Sequence, residues 1–544
     1  MLRCLQRTTP LGHVRQLGGS TRAMASSSAK TTDNEITKRA VAGSFLFTIP
    51  NGDDKQARVA LFRRSAKVRT YQHKLAPCSG SVEEDDANPL ATALREINEE
   101  TTLTESSLDL LRVGKPYSFV DEALRREWTI NPFAFRLKDA SEGGKGEEGI
   151  QLDWEHDGIE WFDPREVNGS DKFGGVPNLI TSLRRVWPEY DLGFEAGKAL
   201  TEGLQRLRDD HEHGARELAT MAVTTLRDVI GLMGQAQPAD ERWWTNVRMV
   251  AWHICQSRPS IGASITTAIV KALDAIKMVY TTEMTTEEKT QSAVKALDEQ
   301  LAQRVSTTEQ IKQTFLDYIR SNVLQGKTSK DSISILTLSS SSTIAACLQA
   351  TSSLDVSLDL RALESRPLYE AVTLASKLLE KAEKDSRLKI TIYSDASAAL
   401  AAKDIDLFLI GADRVSSAGD VSNKIGSLPA LLSAKHVSPN AKVVVLTDTD
   451  KVAGPGSVEE HPSEENDPSE LIRAWKGNVR GAETFEDALQ NGDSRVAVKN
   501  AYFEWIPANL VDAYVTEEGV WDRERIESRS DWIGKEVKEY FEEL

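Results

Sequence analysis

Cysteine is scarce in this chain of 544 residues. Its four cysteines, Cys4, Cys78, Cys255 and Cys347, contain no CxxC pair and are too sparse for a disulfide framework. Reduced thiols in a reducing compartment such as the cytoplasm are therefore expected. Long apolar runs are also missing: none reaches the ~18 residues that a membrane-spanning helix needs, so a soluble protein with no membrane partner is expected. Basic charge is in deficit. The net charge of -17 argues against general nucleic-acid binding, which needs a basic surface to neutralise phosphates. The same excess of acid suits a domain that holds divalent metal through carboxylates.

Acid is itself absent from one stretch, the first 32 residues. Arg3, Arg7, Arg15, Arg22 and Lys30 lie there among frequent Ser and Thr. That composition fits a mitochondrial transit peptide. It equally fits a disordered tail, or an upstream extension with translation starting at Met24. Residues 1–36 are therefore set apart from the fold.

The rest is too long for one core; about 150 residues per domain gives three or four units. Residues 37–190 alternate short strands (Val41 to Thr48, Ala57 to Arg63, Trp128 to Leu137) with one strong helix. Residues 195–325 read as a helical subdomain: Leu200, Leu204 and Leu207 recur at helical spacing, as do Leu218, Met221, Leu226 and Ile230. Further helices are predicted over Ile261–Tyr280 and Thr286–Gln303. Residues 326–530 become regularly α/β. Strands are predicted at Ser332–Leu338, Leu354–Leu360, Leu388–Tyr393, Asp406–Ile410 and Ala441–Leu446. Helices are predicted at Leu368–Lys384 and Lys424–Ala434. Such alternation implies βαβ units and a parallel sheet, whose ligands bind at the carboxyl ends of the strands. Gly454–Glu470 reads as a loop or lid.

Two constellations carry chemistry. In the first, Asn88-Pro89 starts a helix, with Asn as cap and Pro at the first helical position. The helix carries Glu96, Glu99 and Glu100 at spacings that put Glu96 beside both others. Three crowded carboxylates repel one another unless a cation sits among them, and hard oxygens at this density favour Mg²⁺ or Mn²⁺. Arg95 offers a bidentate pair to one carboxylate. The plain alternative is a solvated acidic face. A Gly turn ahead of the helix, and apolar Leu90, Ala93, Leu94 and Ile97 along it, count against that.

This stretch resembles the Nudix box: Gly, five residues, Glu, seven residues, Arg-Glu-aliphatic-any-Glu-Glu, any, Gly, aliphatic. Arg95, Glu96, Ile97, Glu99, Glu100 and Leu103 match its second half. Leu75 to Gly80 resembles the strand and turn before it, and Trp161-Phe162-Asp163-Pro164 the usual end of the sheet. The interval from Gly80 to Arg95 is one residue longer than the pattern. Counting back from Arg95, the upstream Glu falls on Ala87, with Glu83, Glu84, Asp85 and Asp86 nearby. Thr102 replaces the terminal Gly. The resemblance implies metal-assisted attack of water on the pyrophosphate of a nucleoside diphosphate-type small molecule. Glu96, Glu99, Glu100 and the Gly80 carbonyl would hold Mg²⁺ (or Mn²⁺), with Glu96 alternatively the base.

The second constellation stands at strand ends: Glu364-Ser365-Arg366-Pro367, Gly411-Ala412-Asp413-Arg414, and Gly419 to Gly426 with Asn423 and Lys424. An Asp leaving a buried strand, with Asn and Lys soon after, can orient hydroxyls and phosphate. Alternatively, Asp413 only caps a turn and pairs with Arg414. Together with Ser257-Arg258-Pro259-Ser260, Ile335-Leu336-Thr337, Phe503-Glu504 and Val515 to Val520, these segments resemble the family of the initiation factor 2B α, β and δ subunits and methylthioribose-1-phosphate isomerase.

The two resemblances imply a Nudix α/β/α sandwich, then a helical subdomain and a Rossmann-like parallel-sheet domain, and suggest a homodimer through the sheet domain. The isomerases carry His-Cys-Asn after Ile-Leu-Thr; here Leu338, Ser339 and Ser340 stand there. Their Arg-Gly-Ala segment is His213-Gly214-Ala215. A hydroxyl is a poor proton shuttle beside a thiol. The expectation is a sugar phosphate held by Arg258, Ser339, Arg366, Asp413, Asn423 and Lys424 without isomerisation. A non-catalytic protein related to the initiation factor subunits, or an isomerase with rearranged chemistry, are the alternatives.

Overall fold

The structure is a computed structural model. It describes residues 36–544 apart from 53, 211–212, 234–241, 259–260, 282, 326–331, 384–386 and 457–465. The expected targeting segment lies outside the described residues up to residue 35, as do Pro259 and Ser260 and most of the expected lid.

The first unit is a mixed sheet of β1 (Thr37–Thr48), β2 (Arg58–Arg64), β3 (Leu75–Ala76), β4 (Cys78–Ser81), β5 (Leu108–Val113), β6 (Tyr117–Asp121), β7 (Arg126–Leu137) and β8 (His156–Phe162). β1 is its spine. It runs parallel to β7 from Thr37↔Arg126 to Phe47↔Arg136, and antiparallel to both β2 and β4. Helix α1 (Pro89–Thr101) covers one face, burying Ala93 and Ile97 against Leu46, Phe62, Phe133 and Phe135. Helices α2 (Leu179–Val186) and α3 (Glu189–Leu192) close the other, over Phe45, Phe47 and Leu61.

A helical bundle follows: α4 (Phe194–Asp209), α5 (Ala215–Met233), α6 (Trp243–Cys255), α7 (Gly262–Val279) and α8 (Thr286–Asn322). α6 has no counterpart among the predicted helices. Its Trp243, Val247, Val250, Ala251 and Ile254 are buried at helical spacing, but so many aromatic and β-branched residues weaken the local signal. α8 runs 37 residues, about 55 Å at 1.5 Å per residue, well past the predicted end at Gln303. Its first half packs in the bundle; Ile311, Phe315 and Ile319 pack under the next sheet.

The last unit comprises β9 (Ser332–Leu338), α9 (Ser342–Ala350), β10 (Ser357–Leu363), α10 (Glu370–Lys381), β11 (Leu388–Tyr393), α11 (Ala398–Ala401), β12 (Leu407–Gly411), β13 (Arg414–Val415), β14 (Val421–Lys424), α12 (Ser427–Val437), β15 (Lys442–Leu446), α13 (Ser469–Trp475), α14 (Ala482–Gln490), β16 (Phe503–Ile506), β17 (Ala513–Thr516), β18 (Gly519–Trp521) and α15 (Arg523–Phe541). Its main sheet has the order β11-β10-β9-β12-β15-β17-β18, parallel except for β18. The predicted helix from Lys424 needs correction. Val421–Lys424 is a buried strand paired with β16, and the helix begins at Ser427 after Gly426, whose φ is +96°. The second predicted strand sits three residues later, at Ser357–Leu363. α15 returns to the helical bundle, where Tyr540, Phe541 and Leu544 join the core. No helix among the described residues is long and apolar enough to cross a membrane.

Candidate functional site

Helix α1 is fixed at its start by Asn88, whose side chain accepts from the Leu90 and Ala91 amides, both at 3.0 Å. Ala93 and Ile97 dock it on the sheet, so its three glutamates are graded in depth. Glu99 is 58% exposed, Glu96 14% and Glu100 only 4%. Gly80 on β4 faces them. A Cβ there would lie 1.8 Å from Glu96 Oε1, so only glycine lets the carboxylate approach the strand.

Glu100 is the deepest group. Its Oε1 accepts from the Ser79 amide at 3.2 Å. Its Oε2 is buried without a hydrogen-bond partner, 3.8 Å from His156 Nε2. His156 does not balance that charge, because burial lowers the affinity of its ring for a proton. Burial also pushes the Glu100 carboxyl well above the usual carboxylate range, and the nearby Glu96 adds to the rise. Glu96 is raised as well, first by burial, against the pull of Arg95 and with a push from Glu99 and Glu155. Asp153, Glu155 and His156 thus join the cluster, although they were not singled out in the sequence. Asp153 Oδ1 lies 3.2 Å from His156 Nδ1. Glu155 is raised by burial and by Asp153. The available signal was three titratable residues within four positions at the start of a strand.

Arg95 organises the outer part. It donates to Asp86 from Nε (3.2 Å) and Nη2 (3.0 Å), to Glu96 (2.8 Å), to Glu99 (3.4 Å) and to the Ser81 carbonyl (3.2 Å). Asp86 also accepts from Thr92 Oγ1 and the Glu83 amide, and these bonds, Arg95 foremost, hold its carboxyl well below the usual range. Among the described residues, no three His, Cys, Asp or Glu side chains already converge as a metal-ligand set.

In the last unit, chain order reverses between β9 and β12, the point where open α/β sheets bind ligands. Ser339 leaves β9 with φ +68°, and Ser365 leaves β10 with φ +64°. The Ser339 amide donates to Ser365 Oγ at 2.6 Å and its hydroxyl to Glu370 Oε2 at 2.7 Å. Lys424 is buried, with Nζ 2.8 Å from Glu370 Oε1 and 4.4 Å from the Tyr502 ring centre. Asn423 is buried and donates to Ser427 Oγ at 2.9 Å. Asp413 leaves β12; it is accessible to solvent, yet the surrounding protein desolvates it and raises its carboxyl, against Lys451 and Lys424. Its backbone amide bonds to the Ser422 carbonyl at 2.9 Å. Arg366 is exposed, paired with Glu364 at 3.1 Å, its amide on Asp395 at 2.8 Å.

Ser339 and Lys424 are therefore drawn together on Glu370, a residue not singled out in the sequence, and Asp413 lies near enough to feel the charges of Glu370 and Lys424. Arg258 donates to the carbonyls of Leu207 and Asp210 at the end of α4. Arg216, just after the altered Arg-Gly-Ala segment, reaches Thr343 Oγ1 at 3.0 Å and lies 3.5 Å from Asp448.

Comparison with known proteins bears on both units. The family model for the initiation factor 2 subunit family matches residues 211–523, and that for the NUDIX domain matches residues 44–181. A methylthioribose-1-phosphate isomerase of Oryza sativa subsp. indica is 27% identical over 335 residues, covering 59% of this chain and 84% of that protein. One of Azotobacter vinelandii is 33% identical over 162 residues, covering 29% of this chain and 40% of that protein. The solved translation initiation factor eIF-2B of Pyrococcus horikoshii is 18% identical, covering 59% of this chain and 96% of that one, with a TM-score of 0.41. The chain belongs to the initiation factor 2 subunit family and carries a NUDIX domain ahead of that region.

Proposed function

We propose that the N-terminal unit is a Mg²⁺-dependent hydrolase of a nucleoside diphosphate-linked substrate, and that the C-terminal unit binds a phosphorylated sugar without the thiol chemistry of the related isomerases. The observation that carries the first part is Glu100 Oε2, buried with no hydrogen-bond partner beside two further carboxyls. Burying an unpartnered carboxylate is costly, and a bound cation relieves that cost.

The donor set fits a hard divalent cation: Glu96, Glu99, Glu100 and the Gly80 carbonyl are all oxygen. Such a cation supplies charge neutralisation at the pyrophosphate and lowers the pKa of a bound water. The chain's own part is positional. Arg95 holds Glu96 and Glu99 together against Asp86, the Ser79 amide turns Glu100 inward, and Gly80 leaves room for Glu96. In the alternative assignment Glu96 is left out of the ligand set and serves as the base that takes a proton from the attacking water.

The reading of the C-terminal unit is supported by Ser339 and Lys424 meeting on Glu370 at the switch point, with Asp413 close enough to feel Lys424, and by Ser339 in place of the thiol. A Mg²⁺-dependent screen against nucleoside diphosphate sugars, ADP-ribose, dinucleoside polyphosphates and NADH tests the first part. Turnover of one class is the expected result; no turnover of any of them at any Mg²⁺ level overturns it. Calorimetry with pentose phosphates tests the second.

A further inference from the structure

No acid stands between Asp54 and Glu83, whereas seven Lys and Arg do, in a chain whose net charge is -17. The run is densest from Arg63 to Lys74, where β2 ends and leads on to β3. That connection is a built loop whose ends meet. The Arg64 amide donates to the Lys74 carbonyl at 3.0 Å, and the His73 amide to the Arg64 carbonyl at 2.9 Å. Gln72 Nε2 braces the loop from within, donating to the Ala66 and Val68 carbonyls at 2.9 and 3.0 Å, and Val68 is buried. Tyr71 and His73 turn the chain through the left-handed region, φ +52° and +61°, which residues other than glycine rarely enter. The Tyr71 hydroxyl ties the turn to Asp121 at 2.6 Å. Compact loops closed on themselves in this way are frequently functional.

The loop is rooted at the carboxylate site. Buried Ser65 donates from its amide to the Glu155 carbonyl at 2.7 Å and from its hydroxyl to the Trp154 carbonyl at 2.9 Å. The Glu155 carboxyl is close enough to Glu96 and Glu99 for their charges to act on one another, and Arg64 acts on Glu155. The cations of the loop are unequally used. Arg63 pairs with Glu160, and Arg64 Nε donates to the Thr70 carbonyl at 3.2 Å. Among the described residues, the side chains of Lys67, Arg69 and Lys74 have no ion pair or hydrogen bond, although the chain around them is rich in acid.

We propose that Lys67, Arg69 and Lys74 hold phosphates beyond the pyrophosphate that is cleaved, so that the substrate is a nucleotide with a chain of three or more phosphates. This rests on the hydrolase reading given above and narrows its substrate class. A cation on Glu96, Glu99 and Glu100 already neutralises the scissile pyrophosphate. A nucleoside diphosphate sugar has no further phosphate to offer the loop, whereas a dinucleoside tetraphosphate does. A local positive patch on an otherwise acidic surface also steers a polyanion toward the site. Hydrolysis needs water alone. The water oxygen bonds to one phosphorus, the bridging P–O bond breaks, the bridging oxygen leaves with the rest of the chain, and the proton lost by water passes to solvent. Diadenosine tetraphosphate gives ATP and AMP, or two ADP.

The test compares diadenosine tetraphosphate with ADP-ribose and nucleoside diphosphate sugars, using the full chain and Mg²⁺. A higher kcat/KM for the tetraphosphate is expected, falling more steeply with added salt because the contacts are exposed and ionic. In the triple variant Lys67→Ala, Arg69→Ala, Lys74→Ala the preference for the tetraphosphate over ADP-ribose should drop ~10-fold or more, chiefly through KM. The backbone, Gln72 and Ser65 hold the loop, so the melting temperature should stay, and Lys67→Arg with Lys74→Arg should keep the preference. Equal or higher kcat/KM for ADP-ribose or a nucleoside diphosphate sugar overturns the proposal and leaves the hydrolase reading standing. So does a preference that the triple substitution leaves unmoved. No turnover of any of these substrates at any Mg²⁺ level overturns both.

Discussion

Asp86 and Arg95 are joined by two bonds, Nε to Oδ1 at 3.2 Å and Nη2 to Oδ2 at 3.0 Å, across the start of helix α1. This pair accounts for the extra residue between Gly80 and Arg95. The position that counts back to Ala87 cannot hold the arginine, and the carboxylate one place earlier does so instead. Asp86 touches none of the reacting atoms; it fixes the group that fixes Glu96 and Glu99. Asp86→Asn is therefore expected to lower hydrolysis about tenfold, the usual size of an effect passed through a supporting residue, with KM nearly unchanged. Steady-state kinetics on the substrate found in the screen checks this. The lowered carboxyl of Asp86 keeps the pair intact at acid pH, so the deficit should persist across the working pH range.

Glu99→Gln and Glu100→Gln are each expected to cut hydrolysis ~10²-fold or more, because each removes a ligand charge. The variants should differ in stability. Glu99 is exposed, so its loss leaves the fold alone; Glu100 is buried with a raised carboxyl, so neutralising it should raise the melting temperature of the metal-free protein. Equal hydrolysis by wild type and both variants at every Mg²⁺ level contradicts the site assignment.

Thr102 ends α1 in the left-handed region, φ +59°, where its amide bonds to the Asn98 carbonyl at 2.9 Å. The Nudix pattern places glycine there, and the geometry that favours glycine is kept although the residue is not. Thr102→Gly should stabilise the N-terminal unit by about 1 kcal/mol, removing a side-chain clash at a helix end. Denaturant unfolding of the full chain, followed in its first transition, measures this.

Much of this was legible in the sequence, for different reasons in different places. The cap at Asn88-Pro89 and the faces of α1 follow from local chemistry, and the structure has them as read. The buried strand Ser332–Leu338 stands out because an apolar and β-branched run is bounded by polar residues, and the edge strand Leu388–Tyr393 because its residues alternate. What was illegible was long-range. Glu370 gains its meaning only when β9 and β14 bring Ser339 and Lys424 to it, at separations of 31 and 54 residues. The strand at Val421–Lys424 was hidden for the same cause: four residues become a strand because β16, some eighty residues on, pairs with them.

The protein is expected to show no turnover of methylthioribose 1-phosphate. Ser339 stands where the isomerases carry the thiol, and Cys347 is buried in α9 with its thiol pushed up to about 12. Neither group can carry a proton near neutral pH as a thiolate does. Measured turnover on that substrate, lost in Ser339→Ala, would falsify this.

The last prediction concerns pH and metal together. Glu96 and Glu100 both have carboxyls raised in the folded state, chiefly by burial. A group raised above its unfolded value binds more protons folded than unfolded, so its stabilising effect is complete below the ordinary carboxylate range and is lost as pH climbs through the folded value. The metal-free protein should accordingly melt at a lower temperature at pH 8 than at pH 5, as far as this site contributes. Mg²⁺ reverses the sign, since it binds the ionised form and stabilises the folded state in proportion to its saturation, about 2.7 kcal/mol at a hundredfold excess over Kd. The melting shift on adding Mg²⁺ should therefore be several degrees at pH 8 and small at pH 5, where protons compete for the same oxygens. Differential scanning fluorimetry at the two pH values, with Mg²⁺ or with chelator, reads both effects. Glu100→Gln should shrink the pH 8 shift while leaving the pH 5 value nearly unchanged. A Mg²⁺ shift of equal size at both pH values, or one untouched by that substitution, places the metal elsewhere in the chain.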